Sequence, residues 1–237
     1  MTRRIIKAFV RYAASAYSDI APDEKFCHEI KVNNVIVRIK RDDKKENRVY
    51  ISIRGTDDAL DWLDNLRRWK TPFLQNTSVH SGFLRHLNYI YEQVHAYVRG
   101  FTEIYITGHS LGGAVATLMG AKISHLMPDV DCTVVTYGCP RVGDRNFKQF
   151  CRLQRNLVCY RVYNKRDIIT NAPYFGFFHV GRKHRIRTPS VPFYRFKELH
   201  SIWSYYWAIE SETNMEYYNE LKSGALFDYH QRVWFGE

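Results

Sequence analysis

The sequence predicts an α/β fold in which a mostly parallel central sheet carries helices on both faces. Three observations lead there. Strand-like and helix-like segments alternate along the chain. Cys132–Tyr137 (CTVVTY) is a near-continuous apolar run, the pattern of a strand buried on both faces of a parallel sheet. Phe101–Thr107 (FTEIYIT) alternates like a strand and then passes through a small-residue turn straight into an apolar helix pattern. With 237 residues and 45% hydrophobic content, the chain is long enough for one sizeable core, and residues 1–237 are expected to form a single domain.

Taken in order, the elements support that architecture. The opening, MTRRIIKAFVRYAASAYS, is basic and then apolar like an export signal, but Arg11 ends the apolar run after Val10. Ile6, Phe9, Val10, Ala13 and Tyr17 instead stand at helical spacing, which makes this an amphipathic helix of the domain. Val32–Lys40 (VNNVIVRIK) and VYISIRG alternate apolar and polar residues around the charged turn RDDKKENR, giving strand, turn and strand. In GTDDALDWLDNLRRW, Asp57 or Asp58 caps a short helix that buries Ala59, Leu60, Leu63 and Leu66. Leu84, Leu87, Tyr91, Val94 and Val98 line one face of a further helix, Asn146–Leu153 reads as another, and Leu157–Tyr163 returns as a strand. No stretch approaches the roughly 18 apolar residues of a membrane span.

Composition narrows the class. The five cysteines (Cys27, Cys132, Cys139, Cys151, Cys159) form neither a C-x-x-C pair nor a metal-ligand pattern with histidine, which points to buried, reduced thiols. The implied location is the cytoplasm or another reducing compartment. The net charge of +11 is uneven: residues 141–200 hold fourteen Lys or Arg against three acids. Such a region is a solubilising face or a contact for an anionic membrane surface. Nucleic acid is not expected as a partner, because recognition would need basic and aromatic residues interleaved on one face.

The chemistry centres on Gly108, Ser110 and Gly112, a G-x-S-x-G set between a predicted strand and a predicted helix. A serine raised on so tight a turn sits in a strained backbone conformation, and side chains on its neighbours would collide with adjacent strands. In return the seryl oxygen stands clear of the sheet edge, beside the unpaired N–H groups of a helix N-terminus. This is the nucleophile turn of an α/β-hydrolase. Serine becomes nucleophilic only when a neutral imidazole takes its proton, and a carboxylate must hold that imidazole in the correct tautomer. The fold supplies these partners in the order Ser, acid, His. Asp167 follows the strand LVCYRVY and is the leading acid; Asp144 in PRVGD is the rival. Downstream histidines are His179, His184, His200 and His230.

Seven ordered stretches, RYAASAY, IRGTDD, VHSGF, GHSLGGA, TYGCPRVGD, NKRDIITNAP and FHVG, together resemble the class 3 lipase family, best known from fungal triacylglycerol lipases. The resemblance implies Ser110, Asp167 and His200 as the catalytic residues. His230 is the alternative base; it lies near the end of the sequence, where chains commonly fray, whereas His200 heads the apolar run IWSYYWAI. His179 and His184 read as structural and as part of a solvated strand. The resemblance further implies an oxyanion hole from Thr56 and the N–H of Leu111, and a lid over 57–66 bearing Leu60, Trp62 and Leu63 among Asp57, Asp58, Asp61 and Asp64. It implies an acyl ester or lipid substrate and calls for no cofactor and no metal. A phospholipase or aryl esterase on the same scaffold, or a lipase-like binding or signalling protein without turnover, are the alternative readings.

Overall fold

The computed structural model describes residues 2–17, 26–55, 69–188 and 196–211. Its elements run α1 (Thr2–Ser15), β1 (His28–Val32), β2 (Val35–Arg41), β3 (Arg48–Ile53), β4 (Lys70–Pro72), β5 (Ser78–His80), α2 (Ser81–Val98), β6 (Glu103–His109), α3 (Leu111–Leu126), β7 (Asp131–Tyr137), α4 (Arg145–Leu153), β8 (Leu157–Asn164), a 3-10 turn (Ile168–Asn171), β9 (Arg182–Ile186), α5 (Phe196–His200) and α6 (Ile202–Ser211). The main sheet has the order β1-β2-β3-β6-β7-β8-β9. Pairing is antiparallel from β1 to β3 and parallel from β3 to β9. This is an α/β-hydrolase fold.

Helices cover both faces, as the alternation of elements requires. On one side Phe83, Leu87, Ile90 and Val94 of α2 and Ala114, Leu118 and Met119 of α3 share a core with Ile51, Ile104, Ile106 and Val134 of the strands. On the other, Ile6, Phe9, Val10 and Ala13 of α1 and Ile202, Tyr205 and Ile209 of α6 pack on Val135, Tyr137, Val162 and Ile186. β7 thus sends Val134 to one layer and Val135 to the other, which is why its sequence shows no polar alternation. Arg11 and Lys7, on the outer side of α1, pair with Glu210 of α6, so the residue that interrupts the apolar run ties two helices together.

The single strand expected over Val32–Lys40 is two strands. Asn33 and Asn34 have φ of 46° and 65°, a two-residue turn that folds β1 back on β2 in register, with Val32 opposite Val35. Asparagine tolerates the left-handed region, and a pair of such residues matches the strand twist in a tight hairpin. The apolar phase shifts by one residue there, from Ile30 and Val32 to Val35, Val37 and Ile39, which is the trace the turn leaves in the sequence.

Candidate active site

The sheet brings Ser110, Asp167 and His200 together at the C-terminal ends of β6 and β8. β6 runs through His109 and α3 begins at Leu111, leaving Ser110 alone at the corner with φ 55° and ψ −126°. The strain is imposed by packing. A Cβ on Gly108 would lie 2.4 Å from the carbonyl oxygen of Gly112, and one on Gly112 would lie 2.2 Å from that of Ile53. Only glycine at both positions lets strand, corner and helix close up. The Ser110 N–H donates to the Tyr137 carbonyl at 3.0 Å, which fixes the corner to β7.

Ser110 Oγ lies 2.7 Å from His200 Nε2, and His200 Nδ1 lies 2.8 Å from Asp167 Oδ2. All three are buried, with Ser110 0% exposed. Asp167 caps the 3-10 turn, its Oδ1 accepting from Ile169 N at 3.0 Å. Its Oδ2 also accepts the hydroxyl of Tyr205 at 2.7 Å, and that hydroxyl accepts from the backbone N–H of Asn164 at 3.1 Å. An acid held on both oxygens can keep an imidazole ring in one orientation. Burial and the neighbouring Asp167 charge raise the Tyr205 phenol well above its ordinary pKa, so it stays a donor.

A second set of bonds holds His200 by its backbone. His109 Nε2 lies 2.5 Å from the His200 carbonyl oxygen, which can only accept, so Nε2 carries the proton. Burial, followed by the proximity of His200, drives the His109 pKa well below its ordinary value, so the ring is neutral and Nδ1 accepts from the Tyr17 hydroxyl at 3.1 Å. Tyr17 in turn accepts from Gly55 N–H at 3.0 Å. The chain Gly55, Tyr17, His109, His200 therefore links the end of β3, the exit of α1, the nucleophile corner and the imidazole. Gly138, with φ 58°, closes the floor: a Cβ there would lie 3.2 Å from Asp167 Oδ2 and from His200 Cε1. Tyr17 was legible only as an apolar stripe residue and Tyr205 only as core filling. His109 and Gly138 carried no signal beyond their places in GHSLGGA and TYGCPRVGD.

The other candidates fall elsewhere. Asp144 caps α4, accepting from Phe147 N at 2.7 Å and from Ser78 N at 3.2 Å. His184 sits half-buried on the edge strand β9. His179 lies away from Ser110, in a loop beside Arg161 and Arg141. Leu111 is the first residue of α3, where a helix N–H has no intrahelical partner. Thr56, His230 and the whole of the expected lid, including Asp57, Asp58, Leu60, Asp61, Trp62, Leu63 and Asp64, lie outside the described residues.

A seven-stranded sheet of this order with a serine, a histidine and an aspartate in hydrogen-bonded sequence at its strand ends defines an α/β-hydrolase. The comparisons sharpen the class. The family model Lipase (class 3) matches residues 50–177, and the chain belongs to the class 3 lipase family. A chloroplastic phospholipase A(1), DAD1, of Arabidopsis thaliana is 33% identical over 150 residues, covering 53% of this chain and 33% of its own length. The secreted mono- and diacylglycerol lipase 1 of Fusarium solani is 30% identical over 147 residues, covering 58% and 43%. Among solved structures, the lipase from Rhizopus microsporus var. chinensis superposes with a TM-score of 0.66 at 26% identity, covering 79% of this chain and 76% of that one. The chain thus spans less than half the length of these two curated relatives.

The expected cytoplasmic or other reducing compartment is overturned by these relatives, one named as chloroplastic and one as secreted. The inference failed because burial alone accounts for most of the unpaired thiols. Cys132, Cys139 and Cys151 are sealed in the core, where lack of a partner says nothing of the surroundings, and only Cys27 is exposed.

Proposed function

We propose that this protein hydrolyses acyl esters of lipids through Ser110 as nucleophile, His200 as general base and acid, and Asp167 as the group that orients the imidazole. The observation that carries this reading is the unbroken hydrogen-bond sequence from Ser110 Oγ through His200 to Asp167 Oδ2. As Oγ bonds to the ester carbonyl carbon, its proton passes to His200 Nε2 and the carbonyl electrons move onto oxygen. The N–H of Leu111, at the positive end of α3, and Thr56, next in sequence to Gly55, are assigned to that oxyanion. Collapse expels the alcohol, which takes the proton back from Nε2. Water then repeats the cycle on the acyl-serine and releases the acid and free Ser110. The basic excess over residues 141–200 supports peripheral contact with an anionic membrane surface, expected to weaken as salt is raised.

The test is labelling with a fluorophosphonate followed by peptide mapping, beside turnover of a p-nitrophenyl ester and of emulsified lipid. Label is expected on Ser110, and Ser110→Ala is expected to fold and lose nearly all turnover. Label on another residue, or parent-level turnover in the variant, would end the proposal.

A further inference from the structure

A cavity of about 440 Å³ opens beside β8 and β9, lined by Arg141, Lys148, Arg161, Tyr174, His179 and Lys183 among others, with no carboxylate among the described lining residues. None of the residues proposed for hydrolysis lines it. Its charge follows from the sheet register. Arg161 stands opposite Lys183 on β9, and strand alternation sends Val162 into the layer of α1 and α6 and Arg161 to the other face. Arg161 Nε and His179 Nδ1 are both sealed from solvent and have no hydrogen-bond partner among the described residues. A buried guanidinium nitrogen without an acceptor is costly, and such groups in native folds call for an explanation. Arg141 is anchored at the mouth, donating to the Tyr174 carbonyl at 2.7 Å, and Lys70 Nζ lies where a Cβ on Gly176 would be 2.9 Å away.

The two orphan atoms ask for complementary things. Arg161 Nε can only donate. His179 Nδ1 is the buried ring atom without a partner among the described residues. Burial first, then Arg161 and Arg141, hold the ring neutral, with a pKa lowered to about 3, so Nδ1 accepts in the tautomer that carries its proton on Nε2. A ligand that carries both acceptor oxygens and a proton satisfies the two atoms together. We propose that this cavity binds a phosphomonoester group, its charged oxygens on Arg161 and Arg141 and its P–OH on His179 Nδ1. A guanidinium fork matches phosphate oxygens, and the monoanion of a phosphomonoester, populated as pH falls toward its second pKa of about 6, offers a hydroxyl, whereas sulfate offers none. The rim suits a lipid source: Tyr174 and Phe175 are 60% and 70% exposed beside the mouth, as aromatic side chains are at a membrane interface.

The proposal is independent of ester hydrolysis and is tested by binding to the full chain. Calorimetric titration with inorganic phosphate and with sulfate is set beside co-sedimentation with ether-linked phosphatidylcholine vesicles carrying phosphatidic acid, a monoester, or phosphatidylglycerol, a diester. Phosphate is expected to bind more tightly than sulfate, and phosphatidic acid vesicles more tightly than phosphatidylglycerol vesicles. Arg161→Gln is expected to weaken both by about tenfold. Lys183→Gln, at an exposed position, serves if the first variant does not fold. In the unaltered chain, phosphate is also expected to shift the His179 ring proton resonances. Binding of free phosphate alone supports a soluble ligand, and binding of phosphatidic acid vesicles alone supports a headgroup. No binding of either, equal affinity for the paired probes, or affinity unchanged in both variants overturns the proposal.

Discussion

Replacing Tyr205 with phenylalanine isolates what the second bond to Asp167 contributes. The change removes one oxygen at a site with no solvent access, where Tyr205 is 0% exposed and its hydroxyl lies 2.7 Å from Asp167 Oδ2. A hydrogen bond to a charged group contributes about 1.5–3 kcal/mol, or roughly ten- to a hundredfold if all of it were expressed in the transition state. Asp167 keeps its bonds to Ile169 N–H and His200, so the lower figure applies. An opposing effect exists, since a carboxylate with one donor fewer is more basic and favours the imidazolium. Orientation is expected to win, because a carboxylate with one restraint fewer on Oδ2 holds the imidazole less firmly in the geometry that fixes its tautomer. The expected result is a fall in kcat of about tenfold with KM nearly unchanged, measured on a p-nitrophenyl ester. Tyr137→Phe is the control, for that hydroxyl is equally buried but donates to the Ile6 carbonyl at 2.5 Å and does not touch Asp167. It should lower the unfolding midpoint and leave kcat alone. Equal kcat in the two variants, or a rise in Tyr205→Phe, would refute the reasoning.

Gly112→Ala is expected to give insoluble or inactive protein, since its Cβ would fall 2.2 Å from the Ile53 carbonyl oxygen; soluble protein with parent activity would show that the corner can relax. Asp144→Ala removes the α4 cap and its bond to Ser78, and should cost about 1–2 kcal/mol in denaturant unfolding while turnover stays at the parent level; lost turnover in folded protein would restore Asp144 as a rival acid. His179, with a folded pKa lowered to about 3 by burial and flanking arginines, binds its proton more weakly folded than unfolded, so its share of stability is present above the unfolded value and shrinks as pH falls below it. That share comes to about 2 kcal/mol between neutrality and about pH 5. Denaturant unfolding of His179→Gln in phosphate-free buffer should show a flatter acid limb, and an unchanged slope would contradict the assignment.

Local chemistry made much of this protein legible in one dimension. The corner at Ser110 could be read because its steric demand falls on adjacent residues: glycine two before, glycine two after, a strand entering and a helix leaving. Asp167 could be named because a carboxylate at a strand end, downstream of the serine, is a positional requirement of the fold. His200 was separable from His230 by the apolar run that follows it and by the place of His230 near the sequence end, and its bonds to Ser110 and Asp167 required the fold itself. The hairpin at Asn33 and Asn34 left only a one-residue shift in apolar phase, from Ile30 and Val32 to Val35, Val37 and Ile39, and the pairing of β1 with β2 shows that shift to be a turn.

The sequence by itself determined the fold class, the nucleophile corner and the uneven charge, since each depends on neighbours along the chain or on composition. Only the tertiary structure decided which groups hold the reacting ones. Tyr17 is 92 residues from His109, His109 is 91 from His200, and Tyr205 is 38 from Asp167. No periodicity links such positions, and each of these side chains is equally at home as plain core. The cavity at Arg161 has the same origin, because a basic residue in a strand reads as solvated until the partner strands and α4 close around it. Hydrogen bonds act over about 3 Å in space and take no account of separation along the chain, so the partners of a buried polar atom are set by packing.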